Sequence, residues 1–105
     1  LIMTLTSLKK YNLIVLNKSD SNQSLELEFN NINQNNLIID CNQVKLESFL
    51  DLFKILFKSQ KFFKKSLVIL TENISFCNDL NLIPTIQEAI DFIDLEEIER
   101  DLDLL

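Results

Sequence analysis

Histidine, glycine and tryptophan are all missing from this 105-residue chain, and proline occurs once, at position 84. Without histidine there is no Ser-His-Asp triad, no imidazole proton shuttle and no histidine-ligated zinc. Without glycine there is no P-loop, no dinucleotide fingerprint and no nucleophile elbow, because each needs a close backbone approach or a positive φ. The common enzyme designs are therefore excluded, and the expectation is a protein that is not an enzyme. Cysteine is scarce as well: Cys41 and Cys77 share no paired spacing. Two such thiols suit a reducing cytosol, so a cytoplasmic location is expected. Cys41 follows a run that reads as a buried strand, which favours a small buried hydrophobe over a nucleophile. Apolar runs such as Leu67-Val68-Ile69-Leu70 fall far short of the roughly 20 residues of a membrane span. The start of the chain shows no basic head and no small-residue cleavage site, so no secretory signal is expected.

What remains is a globular composition: 47% hydrophobic, 25% charged, net charge −6. A chain of this length fits one domain with a core that needs neither metal nor disulfide. Residues 1–10 read as an N-terminal extension or short strand, and 11–105 as the domain. No metal and no cofactor are expected.

Hydrophobic periodicity gives the elements. Tyr11–Leu16 reads as a strand. Leu25-Glu26-Leu27-Glu28-Phe29 alternates strictly, the pattern of a strand with one wet face. Leu37-Ile38-Ile39-Asp40 and Ser66–Thr71 are apolar on both faces and read as central strands. Leu80–Ile83 reads as a short fifth strand before Pro84. The clearest helix runs from about Val44 to Lys58, with Leu46, Phe49, Leu50, Phe53, Leu56 and Phe57 forming one apolar stripe. Thr85-Ile86-Gln87-Glu88 is a capping box for a C-terminal helix, with Ile86, Ala89, Ile90 and Ile93 facing the core. Asp94-Leu95-Glu96-Glu97 repeats the capping pattern and predicts a second short helix, with Leu95, Ile98 and Leu102 inward. The fold class is α/β: a single small mixed sheet of four to five strands with helices against it.

Four features are candidates for function. Asp40 ends a central strand where ligands of open α/β sheets bind, although aspartate is also an ordinary turn residue there. Lys54, Lys58, Lys61, Lys64 and Lys65 surround Phe62-Phe63, a patch able to track a nucleic-acid backbone. Cations also suit a helix C-terminus, and the net negative charge argues against nucleic acid as partner. Half of the 16 acidic residues lie from Glu88 onward, beside the single base Arg100. This is an acidic face that repels DNA and attracts a basic partner. Finally, Ser48, Leu52, Ile55 and Ser59 align off the main stripe of the Val44–Lys58 helix. They form either packing beneath the C-terminal helices or an exposed apolar ridge suited to binding protein.

Two segments resemble the STAS domain, the family of anti-sigma-factor antagonists and sulfate-transporter tails. Leu37-Ile38-Ile39-Asp40-Cys41-Asn42-Gln43-Val44 resembles the family's apolar strand, its Asp and the short turn into a helix. Pro84-Thr85-Ile86-Gln87-Glu88-Ala89-Ile90 resembles its last strand-to-helix junction. The tail Leu95–Leu102 is similar to that of small STAS-like proteins of Bacteroidetes. The resemblance implies a STAS-like fold and a regulatory module that docks a protein partner through the Val44–Lys58 helix, using Ser48, Leu52 and Ile55. Ser48 stands near the family's phosphorylated serine, but the surrounding Asp-Ser-Ser-Gly pattern is reduced to Glu47-Ser48, and the helix between the last two strands is shortened to about Glu72–Asp79. A small-ligand site at Asp40, for a nucleotide or an apolar molecule, and an RNA-associated role for the lysine cluster remain open beside it. The oligomeric state is open too.

Overall fold

A computed structural model describes residues 4–7 and 10–103; residues 1–3 and 8–9 of the expected N-terminal extension lie outside the described residues. Four parallel strands form one sheet: β2 (Tyr11–Val15), β3 (Asn36–Asp40), β4 (Leu67–Leu70) and β5 (Leu82–Ile83). At the β2 edge, β1 (Thr4–Ser7) pairs antiparallel, and spatial order follows chain order. Parallel neighbours need a crossover, normally right-handed. The crossovers here are α1 (Asn22–Asn31) from β2 to β3, and α2 (Leu50–Phe62) from β3 to β4, preceded by a short 3-10 turn at Leu46–Ser48. From β4 to β5 the chain crosses by residues 71–81, which contain no helix, so the shortened helix expected at Glu72–Asp79 is absent altogether. The last helix, α3, spans Ile86–Asp103.

The period-two alternation of the strands divides the interior in two. Ile14, Leu16, Leu37, Ile39, Leu67 and Ile69 meet Leu25 of α1, Phe49 just before α2, and Leu52, Phe53 and Leu56 of α2, with Leu80 beside them on the segment that lacks a helix. Ile38, Val68 and Leu70 point the other way, onto Ala89 and Ile93 of α3. Both faces of β3 and β4 are covered, which accounts for their unbroken apolar sequences.

Three expectations require correction. Leu25–Phe29 is helix, not strand. Ser21 and Ser24 cap each other reciprocally: the Ser21 hydroxyl accepts from the Ser24 N–H at 3.1 Å, and the Ser24 hydroxyl accepts from the Ser21 N–H at 2.9 Å. Leu25, Phe29 and Ile32 then fall at helical spacing on the core, and that spacing outweighs a five-residue alternation. No break occurs at Asp94 either. Its neighbours carry no Pro or Gly, α3 runs straight through, and the Asp94 carboxylate takes an ion pair from Lys10 at 3.5 Å. With one continuous helix its rotation is fixed by Ala89 and Ile93, so Leu95, Ile98 and Leu102 face outward at 58%, 55% and 59% exposure. Ile86 is exposed as well. The Thr85 hydroxyl does cap the Glu88 N–H at 3.2 Å, as the box predicts.

Candidate protein-docking surface

The serine-flanked ridge divides when the helix is placed. Leu52 is 7% exposed and belongs to the core between the sheet and α2, whereas Ile55 is 60% exposed. The pair is not a ridge, and Leu52 is not a surface contact. The outward line of α2 runs instead through Asp51, Ile55, Lys58 and Phe62, spaced four, three and four residues apart and all exposed. Phe62 is 79% exposed and stacks edge-on against Phe63, ring centroids 5.0 Å apart. Two apolar side chains two turns apart thus stand on one face of a helix whose other face is fully used. Sequence reasoning placed Phe62 in the basic cluster; the four-residue step from Lys58 was the available sign of its place on the outward line.

Ser48 ends the 3-10 turn before α2, with its side chain at the surface. The turn is pinned: the Asn22 amide at the start of α1 donates to the Ser48 carbonyl at 2.8 Å. Beyond β4, Ile74 and Phe76 are also exposed, on the segment tied to α2 by the Lys54–Asp79 ion pair at 3.6 Å.

Asp40 sits at the C-terminal end of β3, half-buried. Its Oδ1 accepts the Asn42 N–H at 3.0 Å, the local turn bond that aspartate makes with its own backbone. Asp20, buried at the end of the β2 loop, accepts the Asn17 N–H through Oδ2 at 2.7 Å, and its Oδ1 has no hydrogen-bond partner among the described residues. Cys41 is buried behind Asp40. Burial, reinforced by the negative charges of Asp40 and Glu47, pushes its thiol from an ordinary 9.0 up to about 12, so it stays protonated and unreactive at neutral pH. Among the described residues, no group of three or more His, Cys, Asp or Glu side chains converges to hold a metal ion. No described helix is long and apolar enough to cross a membrane.

The opposite end of the sheet, at the strand N-termini, carries a buried polar hub. The Asn36 amide donates to the Lys10 carbonyl at 3.0 Å and to Glu97 at 3.1 Å, while its Oδ1 accepts from the Ser66 N–H at 2.8 Å. Arg100 donates to the Ser66 hydroxyl at 3.2 Å, and the buried Gln60 amide bridges the Asn35 and Ser66 carbonyls. Above it lies a cleft of about 860 Å³ with Lys61, Lys64 and Lys65 among its lining groups, together with Glu96, Glu97 and Glu99. A smaller hollow of about 200 Å³ lies between the ends of α1 and α2, beside Phe29, Ile32 and Phe63. Asp40 lines neither. Of the lysine cluster, Lys54 pairs with Asp79 at 3.6 Å, and Lys61, Lys64 and Lys65 share the cleft with acidic groups, so the surface there is of mixed charge.

Compared with protein-family models, curated proteins and solved structures, the chain gave no match.

Proposed function

We propose that this chain is a non-enzymatic interaction module of STAS type, which docks a protein partner through the outward face of α2 and the adjoining Ser48 turn. The observation that carries the proposal is the exposure of Ile55 and Phe62 on a helix whose inward residues are buried. Exposed large apolar groups aligned on a rigid element, with Lys58 between them and Asp51 one turn before, suit a helix-face contact. The order apolar strand, Asp40, pinned turn and helix supports the STAS resemblance, as does a capped helix directly after the last strand.

Capture from native lysate, followed by mass spectrometry, tests the proposal. Ile55→Ser/Phe62→Ser should lose the proteins that the wild-type chain retains, with an unchanged melting temperature. Ser48→Asp, which places a charge at the turn, should alter the same retention. A double variant that folds and captures the same proteins in the same amounts would sink the α2 surface.

A further inference from the structure

The C-terminal half of α3 carries a second apolar strip, on the far face of the sheet from α2. Leu95, Ile98 and Leu102 are spaced three and four residues apart and fall within an arc of roughly 60° on a helix of 3.6 residues per turn. Each is more than half exposed. The strip cannot turn inward. Ala89 and Ile93 lock the first half of the helix onto Ile38, Val68 and Leu70. Glu97 and Arg100 lock the second half onto Asn36 and Ser66. The inward side of α3 is thus committed, and the outward side holds three large apolar groups that nothing among the described residues covers.

The charges beside the strip select what does cover it. In the three-four repeat begun by Leu95, the positions flanking the seam are Asp94, Glu99 and Asp101, all acidic. In paired helices these positions decide partner choice. A second copy of α3 would set acid against acid, whereas a helix with lysine or arginine at the matching positions would be attracted. One of the three acids, Asp94, is partly answered by Lys10 at 3.5 Å; Glu99 and Asp101 are exposed. We infer that the Leu95–Ile98–Leu102 strip of α3 docks a basic amphipathic helix of a partner protein. This surface is separate from the α2 face and stands or falls independently of it.

The probe is a fluorescent synthetic peptide of three heptads, with leucine at the seam and lysine at the flanking positions; a twin carries glutamate for lysine. Anisotropy titrations with the full chain should show saturable binding of the basic peptide, weakened by salt, and none of the acidic twin. Leu95→Ser/Ile98→Ser/Leu102→Ser keeps every charge and should weaken binding at least tenfold. Glu99→Lys/Asp101→Lys keeps the apolar strip and should reverse the preference toward the acidic twin, which gives a readout even if the triple variant folds poorly. Equal binding of the basic peptide by wild-type chain and folded triple variant would reduce the effect to bulk charge and overturn the inference. Concentration-dependent self-association abolished by the triple variant would make the occupant a second copy, and would overturn it too.

Discussion

At the scale of single residues, two positions show chemistry set by their surroundings. Cys41 is buried with its thiol held protonated up to about 12, while Cys77 is only half-buried. A thiol reagent at neutral pH should therefore modify Cys77 in the native protein and reach Cys41 only on unfolding; fast native modification of both would contradict the burial. The sign of the pH effect follows. Between about 9 and about 12 the unfolded thiol loses its proton while the folded one keeps it, so stability falls as pH rises through that window. Cys41→Val should flatten part of that decline in urea titrations. Lys64 is the other position. Among the described residues it is the one with positive φ, at 60°, in the turn that ends α2. There the Lys65 N–H bonds back to the Gln60 carbonyl at 2.8 Å and the Lys64 N–H to Lys61 at 3.0 Å, a Schellman closure that usually employs glycine. A left-handed non-glycine residue costs about 1–2 kcal/mol, and glycine's extra freedom when unfolded returns roughly 0.4–1 kcal/mol. Lys64→Gly should thus stabilise modestly, up to about 1 kcal/mol by urea midpoint, and a loss of stability would contradict the strain.

At the scale of elements, positions about one turn apart on α2 should respond very differently. Leu52→Ala removes core between helix and sheet and should cost about 2–5 kcal/mol, whereas Ile55→Ser on the outward line should stay within about 0.5 kcal/mol. Equal losses in thermal melts would mean that Ile55 is covered. The strands β3 and β4 were legible because parallel strands buried on both faces leave continuous apolar runs, β2 from its apolar run Leu13–Leu16 although only alternate residues of the strand are fully buried, and α2 because four turns show a clear period. Helix α1 was not. Its Leu-Glu-Leu-Glu-Phe run is too short for a period to decide, and the Ser21–Ser24 cap lacks the Glu or Gln that marks a capping box in sequence. In α3 the expected inward residues were divided between two helices, and of them Ala89 and Ile93 are buried whereas Ile86, Leu95, Ile98 and Leu102 are exposed. They lie on opposite sides, because the helix faces core in its first half and the polar hub in its second. That change depends on Asn36 and Ser66, which are distant in sequence, so no local pattern reveals it. The outward positions of Ile55 and Phe62 follow from the rotation of α2, which Phe53 and Leu56 define; Leu52 was ambiguous because it borders that inward arc.

At the scale of the molecule, the two cores on either side of the sheet share no side chains. What joins the helices of both faces at the strand N-termini is the hub around Asn36. One amide contacts the residue before β2 through Lys10, the residue before β4 through Ser66 and the far helix through Glu97. Gln60 brings in the end of α2 through Ser66 and Asn35. Asn36 is fully buried, so replacement with an apolar side chain of similar size leaves several partners without a bond in a low-dielectric setting. Each stranded group costs about 1–3 kcal/mol, so Asn36→Leu should destabilise by more than about 2 kcal/mol in urea titrations. Arg100→Met should cost less: its site is half-buried, and the Ser66 N–H keeps its bond to Asn36. Location provides the sharper check. If the hub fixes the second half of α3 to the sheet, hydrogen exchange in Arg100→Met should quicken at amides from Asp94 onward. Amides of α1 and of the first half of α3, held by Ala89 and Ile93, should keep their wild-type rates. Uniform acceleration across the chain would show that the hub contributes only to global stability, and that the outward presentation of Leu95, Ile98 and Leu102 does not depend on it.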